Sequence, residues 1–121
     1  MDERDEASVR AWLAAWGDHV AAADVDGARA LFDGSVVGFG TRAEVADGID
    51  RLVDDQWRHV WPAISAFSFD VGGAHVWVAD DRRQAVIATL WSSTGRRGRA
   101  TVVVRRAEVD GRGAGCTPTS R

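Results

Sequence analysis

The spacing of apolar residues changes at Pro62 from the period of a helix to that of a strand, and this change restricts the folds that the chain can adopt. Before Pro62, apolar side chains recur every three or four residues, as on one face of an amphipathic helix: Val9, Trp12, Leu13, Trp16 and Val20. After it, segments rich in Val, Ile, Phe, Thr and Trp occupy residues 64–71, 74–79, 84–92 and 99–108. Helices followed by consecutive antiparallel strands predict an α+β fold.

The first half also predicts a short second helix, a short strand and a third helix. Asp24 is a suitable N-cap for the second helix, and residues 36–40 have the pattern of a strand. The third helix has two candidate starts, because residues 41–44 have capping-box spacing and a glycine-led start at residue 48 is equally good. We place this helix at about residues 48–60, ended by Pro62.

The length, composition and charge of the chain predict its domain count, its partners and its compartment. A chain of 121 residues, 45% hydrophobic and 27% charged, predicts one globular domain, which we place at residues 1–108. The net charge of −3 argues against a nucleic-acid partner, because phosphate binding depends on clustered Lys and Arg. The single cysteine, Cys116, fits a reducing compartment, and the sequence has neither a secretory signal nor a bilayer-spanning apolar run. We therefore expect a cytoplasmic protein without membrane association.

The order of these elements resembles the SnoaL-like and ketosteroid isomerase-like group of the nuclear transport factor 2-like superfamily. The resemblance covers about residues 7–106, and it includes residues 56–62 (Gln-Trp-Arg-His-Val-Trp-Pro) and residues 91–95 (Trp-Ser-Ser-Thr-Gly), which are similar to bacterial SnoaL-like proteins. It implies a cone-shaped α+β barrel, in which a strongly curved antiparallel sheet wraps around the N-terminal helices. It also implies a mostly apolar cavity inside the cone and a homodimer formed through the outer face of the sheet.

Catalytic members of this group place a carboxylate, and often a tyrosine, inside the cone. This chain has no tyrosine, and residues 36–40 contain no acid. The late-strand residues that we expect to point inward also lack a carboxylate: Thr89, Trp91, Ser93, Thr101 and Val103. The family's catalytic residues therefore cannot be assigned here, and the sequence does not decide whether the protein is an enzyme.

The best remaining general acid or base is His59, because imidazole titrates near neutrality and Trp57 and Trp61 would shield it from water. The alternative is that His59 only benefits from the negative end of the helix dipole. The 3 histidines lack metal-ligand spacing, so we expect neither a metal site nor a cofactor.

Six tryptophans are many for this length, and several come from elements that should meet inside the cone. The predicted ligand pocket consists of Trp16, Phe39, Trp57, Trp61, Thr89 and Trp91. The predicted function is binding of a small, largely apolar molecule, with isomerase, cyclase or dehydratase chemistry in intact relatives. The alternative is a non-catalytic homodimerisation or association module whose tryptophans fill the core.

The end of the chain does not fit the pattern. Residues 109–121 are rich in glycine and have no strand pattern, which predicts a disordered tail and a missing final strand. Reading the codons of residues 114–121 from each third base permits a strand-like sequence of the kind Trp-Val-His-Thr-His-Phe-Ser. We therefore hypothesise that the gene, or its recorded sequence, carries a frameshift near residues 107–113, which resequencing would test.

Overall fold

The computed structural model describes residues 3–39, 45–106 and 113–120, the last of these as backbone alone. Two helices come first, α1 at Glu3–Ala21 and α2 at Val25–Arg29. Two short strands follow, β1 at Val37–Gly38 and β2 at Ala46–Asp47, and they pair with each other.

The third helix, α3, combines several helical geometries in one segment. It begins as an α-helix at Ile49–Arg51, widens to a π-helix at Leu52–Trp57, and returns to an α-helix at Arg58–Val60. A 3-10 turn at Trp61–Ala63 ends it, because Pro62 lacks the N–H that a longer helix requires. The predicted start near residue 48 is therefore correct. Among the described helices, none is both long and apolar enough to cross a membrane.

The large sheet is antiparallel and curved, and it does not close into a full barrel. Its remaining strands in chain order are β3 at Ser68–Phe69, β4 at His75–Val78, β5 at Gln84–Ser93, β6 at Arg96–Arg106 and β7 at Gly113–Ser120. The hydrogen-bonded order is β3-β5-β6-β7, and β4 also pairs with β5. The α+β class and the curved sheet with helices on one side are as the sequence predicts.

The register of the β5–β6 hairpin decides which side chains face the helices. Thr89 lies opposite Ala100, so even-numbered residues of β6 share the inner face with odd-numbered residues of β5. The buried residues of the two strands follow this rule: Ala85, Ile87, Thr89, Ala100, Val102 and Val104. The expectation that Thr101 and Val103 point inward is therefore wrong by one residue, which moves both to the outer face.

The end of the chain also differs from expectation. β7 is antiparallel to β6, with Pro118 opposite Val102 and Ser120 opposite Ala100. Pairing needs only backbone N–H and C=O groups, so it does not require an apolar pattern, and proline is tolerated because β7 is an edge strand. This corrects the expectation of a missing final strand. Residues 107–112 and 121 lie outside the described residues, and both the frameshift and the domain end at residue 108 stay predictions.

Candidate functional site

The predicted tryptophans lie in one continuous series of aromatic contacts, which we call the aromatic chain. Ring centroids of successive members are 4.5 to 5.8 Å apart, in the order Trp61, Trp57, Phe32, Trp16, Phe69, Phe67 and Trp91. Trp57 and Trp61 stack at 4.5 Å, one helical turn apart on α3. The exposed fractions of Trp16, Trp57 and Trp61 are only 7%, 3% and 5%. These indoles fill the space between the helices and the sheet.

The other predicted site residues occupy different surroundings. Thr89 is buried and donates its hydroxyl to the backbone carbonyl of Asp70 at 2.8 Å. Phe39 is 43% exposed beside β1, and no ring contact joins it to the aromatic chain among the described residues. His59 is exposed on α3. The predicted site residues therefore separate into a packed core, a hydrogen-bonded threonine, the half-buried Trp91 and two exposed side chains, Phe39 and His59.

One polar atom of the aromatic chain is unusual. The Nε1–H of Trp16 is buried and has no hydrogen-bond acceptor in the described part of the chain. By contrast, the Nε1–H of Trp12 donates to the backbone carbonyl of Leu31 at 3.1 Å, which fixes that indole in place. The Trp12 ring packs against those of Trp16 and Phe32, with ring centroids 5.6 and 5.4 Å apart.

Trp12 also lines an open cavity of about 430 Å³ between the first half of α1 and the adjacent ends of β4, β5 and β6. We call it the α1 cavity. Its apolar surface is formed by Val9, Ala11, Trp12, Val78, Ala85 and Val104. Its polar surface is formed by Asp5, Ser8, Gln84 and a set of arginines, the arginine rim, which comprises Arg82, Arg83, Arg105 and Arg106.

The arginine rim follows from strand register. Arg83 precedes β5 and Arg106 ends β6, and the Arg106 N–H donates to the Arg83 carbonyl at 2.8 Å. Both continue the inner face of the hairpin beyond Ala85 and Val104, where the apolar interior gives way to solvent. The sheet thus presents an apolar surface that ends in guanidinium groups.

Asp5 connects α1 to this rim. Its carboxylate accepts two hydrogen bonds from Arg82, at 2.5 and 2.8 Å, and one from Arg106 at 2.9 Å. The side chain of Asp5 is only 6% exposed. The hydrogen bonds from Arg82, together with those from Arg106, hold the pKa of Asp5 well below its usual range, although burial acts in the opposite direction. Asp5 is therefore a firmly held anion and a weak base.

Arg82, which contacts Asp5, has an uncommon backbone conformation. Its φ is 61°, in the left-handed region where glycine is usual. The residue lies in the turn between β4 and β5, where its N–H donates to the Ala79 carbonyl at 2.8 Å. From this turn the Arg82 side chain makes the paired contact with Asp5.

Arg105 points away from Asp5 and pairs with another acid. Its Nη2 donates to Asp33 at 2.9 Å. The backbone N–H of Ser35, followed by Arg105 and the Ser35 hydroxyl, lowers the pKa of Asp33 to about 2. Arg105 therefore belongs to the rim by position, while its charge is partly balanced outside the cavity.

Sequence reasoning missed the α1 cavity because it searched for aromatic walls. The signal was present as two arginine pairs, one just before β5 and one at the end of β6. In a hairpin those two ends coincide, and the observed pairing of Gln84 with Arg105 brings all four guanidiniums to one edge. Among the described side chains, no three His, Cys, Asp or Glu lie close enough together to hold a metal ion.

Comparison with known proteins establishes the fold. No model of a known protein family matches the sequence, and no curated protein does so. Among solved structures, a nuclear transport factor 2-like protein of unknown function from Pseudomonas putida has a TM-score of 0.80 at 19% identity, covering 99% of this chain and 87% of that one.

Two further solved structures are similar to this chain over nearly its whole length. A ketosteroid isomerase-like protein from Erwinia carotovora atroseptica has a TM-score of 0.76 at 14% identity, covering 98% of this chain and 96% of that one. A Nostoc punctiforme protein of unknown function with a cystatin-like fold has a TM-score of 0.79 at 12% identity, covering 100% of this chain and 94% of that one. The chain therefore has the nuclear transport factor 2-like fold, as the sequence predicts. Identities this low show the fold alone.

Proposed function

We propose that this domain, with its nuclear transport factor 2-like fold, binds a small, largely apolar molecule in the α1 cavity. The observation that carries the proposal is an open space of about 430 Å³ with a mainly apolar lining beside a tightly filled aromatic core. Pockets for small molecules typically measure 300–1,000 Å³ and combine an apolar surface with a few polar groups. The predicted class of ligand is kept, and its place moves from the tryptophan interior to the first half of α1.

Binding is favoured over catalysis by the groups that line the cavity. Asp5 is the one carboxylate among its described lining residues, and two arginines hold it ionised. A carboxylate with a lowered pKa and occupied lone pairs accepts a proton poorly. The arginines stay protonated at neutral pH and therefore act as donors rather than as bases. His59 is exposed on α3 and is not among the residues that line the cavity.

A neutral fluorescent probe, N-phenyl-1-naphthylamine, tests the proposal. Its emission should rise on binding to the wild type, and Ala11→Trp should reduce its affinity at least tenfold by filling the mouth of the cavity. Ala7→Trp is the matched control, because both alanines are exposed on α1 but only Ala11 lines the cavity. Absence of binding to the wild type, or equal affinity in the two variants, would rule out the α1 cavity as the binding site.

A second candidate function is association into a homodimer, and a specific observation favours it. On the outer face of the sheet, Trp77 and Leu90 are each 58% exposed. Trp77 pairs across the sheet with Val86, which pairs with Val103, so these side chains form a continuous apolar row. Apolar rows of this kind on an otherwise polar surface mark interaction sites.

Sedimentation equilibrium tests the association. We expect the wild type to dimerise, and we expect Trp77→Arg to shift it to monomer by placing a charge within the apolar row. Arg58→Ala is a suitable control, because Arg58 is exposed on α3, outside the sheet. A wild type that stays monomeric at all concentrations would exclude this function.

A further inference from the structure

We propose that the ligand of the α1 cavity carries an anionic group, and that Arg83 and Arg106 recognise it. This inference rests on the proposed function, which it makes more specific: the ligand combines an apolar body with a single carboxylate-like group. The apolar body would contact Trp12 and Val104, while the charged group would lie at the arginine rim.

The described residues that line the cavity include more basic than acidic side chains. Net charge over the full sequence is −3, yet the described lining residues include four arginines and a single acid. A concave surface with one sign of charge and apolar walls concentrates the local field. The arginines of the rim would therefore favour an anionic group of the ligand at this edge of the cavity.

The geometry of the hairpin places the positive charge at one end of an apolar surface. Moving outward along the inner face, Ile87 and Val102 are fully buried, Ala85 and Val104 line the cavity, and Arg83 and Arg106 lie at its edge. An amphipathic molecule aligned with these strands would meet first the apolar residues and then the guanidiniums. Arginine suits this position because its donors match the two oxygens of a carboxylate.

Asp5 shows what the rim binds. Its carboxylate lies between Arg82 and Arg106 and accepts hydrogen bonds from both. Arg106 uses only its Nη2 in this contact, and a guanidinium carries five N–H donors. A ligand anion between Arg83 and Arg106 would therefore extend an arrangement that already holds one carboxylate.

Two probes with the same skeleton test the inference. 8-Anilinonaphthalene-1-sulfonate differs from N-phenyl-1-naphthylamine by one sulfonate, and both fluoresce more strongly in apolar surroundings. We expect the anionic probe to bind the wild type at least tenfold more tightly than the neutral probe. Arg83→Gln and Arg106→Gln should each remove most of that difference. Added salt should lower the affinity of the anionic probe and leave that of the neutral probe unchanged.

Arg97→Gln is the matched control, because Arg97 is an exposed arginine at the opposite end of the hairpin. It should leave the affinity of both probes unchanged. Ala11→Trp should lower the affinity of both probes, which would show that both bind in the α1 cavity. Circular dichroism of each variant confirms native structure, since the anionic probe also binds partly unfolded proteins. Arg83→Gln carries the test even if Arg106→Gln does not fold, because Arg83 is exposed.

The outcomes separate the two proposals. Equal affinities for the two probes in the wild type would overturn the anion inference and leave the proposed binding function intact. A preference for the anionic probe that survives in Arg83→Gln would also overturn it. Failure of the neutral probe to bind would overturn the proposed function itself.

Discussion

Replacing Trp57 with alanine should destabilise the protein strongly, because the structure places this indole in the core. Trp57 is 3% exposed, and its ring lies 4.9 Å from Phe32 and 4.5 Å from Trp61. Core Trp→Ala substitutions cost about 3–5 kcal/mol, and part of that cost is the lost aromatic contacts. At roughly 4 °C per kcal/mol for a domain of this size, the midpoint of thermal unfolding should fall by roughly 12–20 °C.

Trp77→Ala is the matched control, since it is the same chemical change on the outer face, where the indole is 58% exposed. It should cost less than about 1 kcal/mol when measured at low protein concentration, where any dimer has dissociated. Urea unfolding gives the free energy of unfolding of both variants. It is followed by far-UV circular dichroism, because removing a tryptophan itself changes the fluorescence signal. Similar small losses for the two variants would refute the core assignment and restore Trp57 as a candidate pocket wall.

Three further results are expected. Gly98→Ala should cost about 1–3 kcal/mol, because an added Cβ would meet the Trp91 indole that lies across it, and in a double-mutant cycle of urea unfolding Trp91→Ala should relieve the cost. Asp5→Asn should lower the urea midpoint at pH 7, and by a smaller amount at pH 3. The lowered pKa of Asp5 means that its stabilisation is fully present above the unfolded-state pKa of about 4 and declines as pH falls from there toward the folded-state pKa, so equal effects at the two pH values would contradict the ion pair. His59→Ala should change stability by less than about 0.5 kcal/mol and leave probe affinity unchanged, since the side chain is exposed; a large loss of binding would return His59 to the site.

The predicted pocket shows where sequence reasoning reaches its limit. Aromatic residues on helices and strands that face one another were expected to meet, and Trp16, Trp57, Trp61 and Trp91 do belong to one series of contacts. Whether such residues enclose a space or fill it depends on packing between elements far apart in the chain. That difference of a few ångströms has no signature in the pattern of residues.

The register of the β5–β6 hairpin accounts for the other differences between the predicted and the observed positions of side chains. A strand pattern shows that alternate residues share a face, but a shift of one residue exchanges the faces. Because Thr89 pairs with Ala100, Thr101 and Val103 lie on the outer face of the sheet. The same register places Arg83 opposite Arg106 at the edge of the cavity. The arginine rim could have been anticipated from the hairpin alone only by assuming that register.

The sequence by itself determined the elements: an amphipathic first helix, a third helix ended by Pro62, and a series of antiparallel strands. It did so because helix and strand periods, caps and proline act locally, over a few residues. The tertiary structure alone decided that the indoles pack into a core, that the final segment pairs as a strand, and that Asp5 meets Arg82 and Arg106 across 77 and 101 positions of sequence. These contacts depend on the curvature and register of the whole sheet, which no short stretch of sequence specifies.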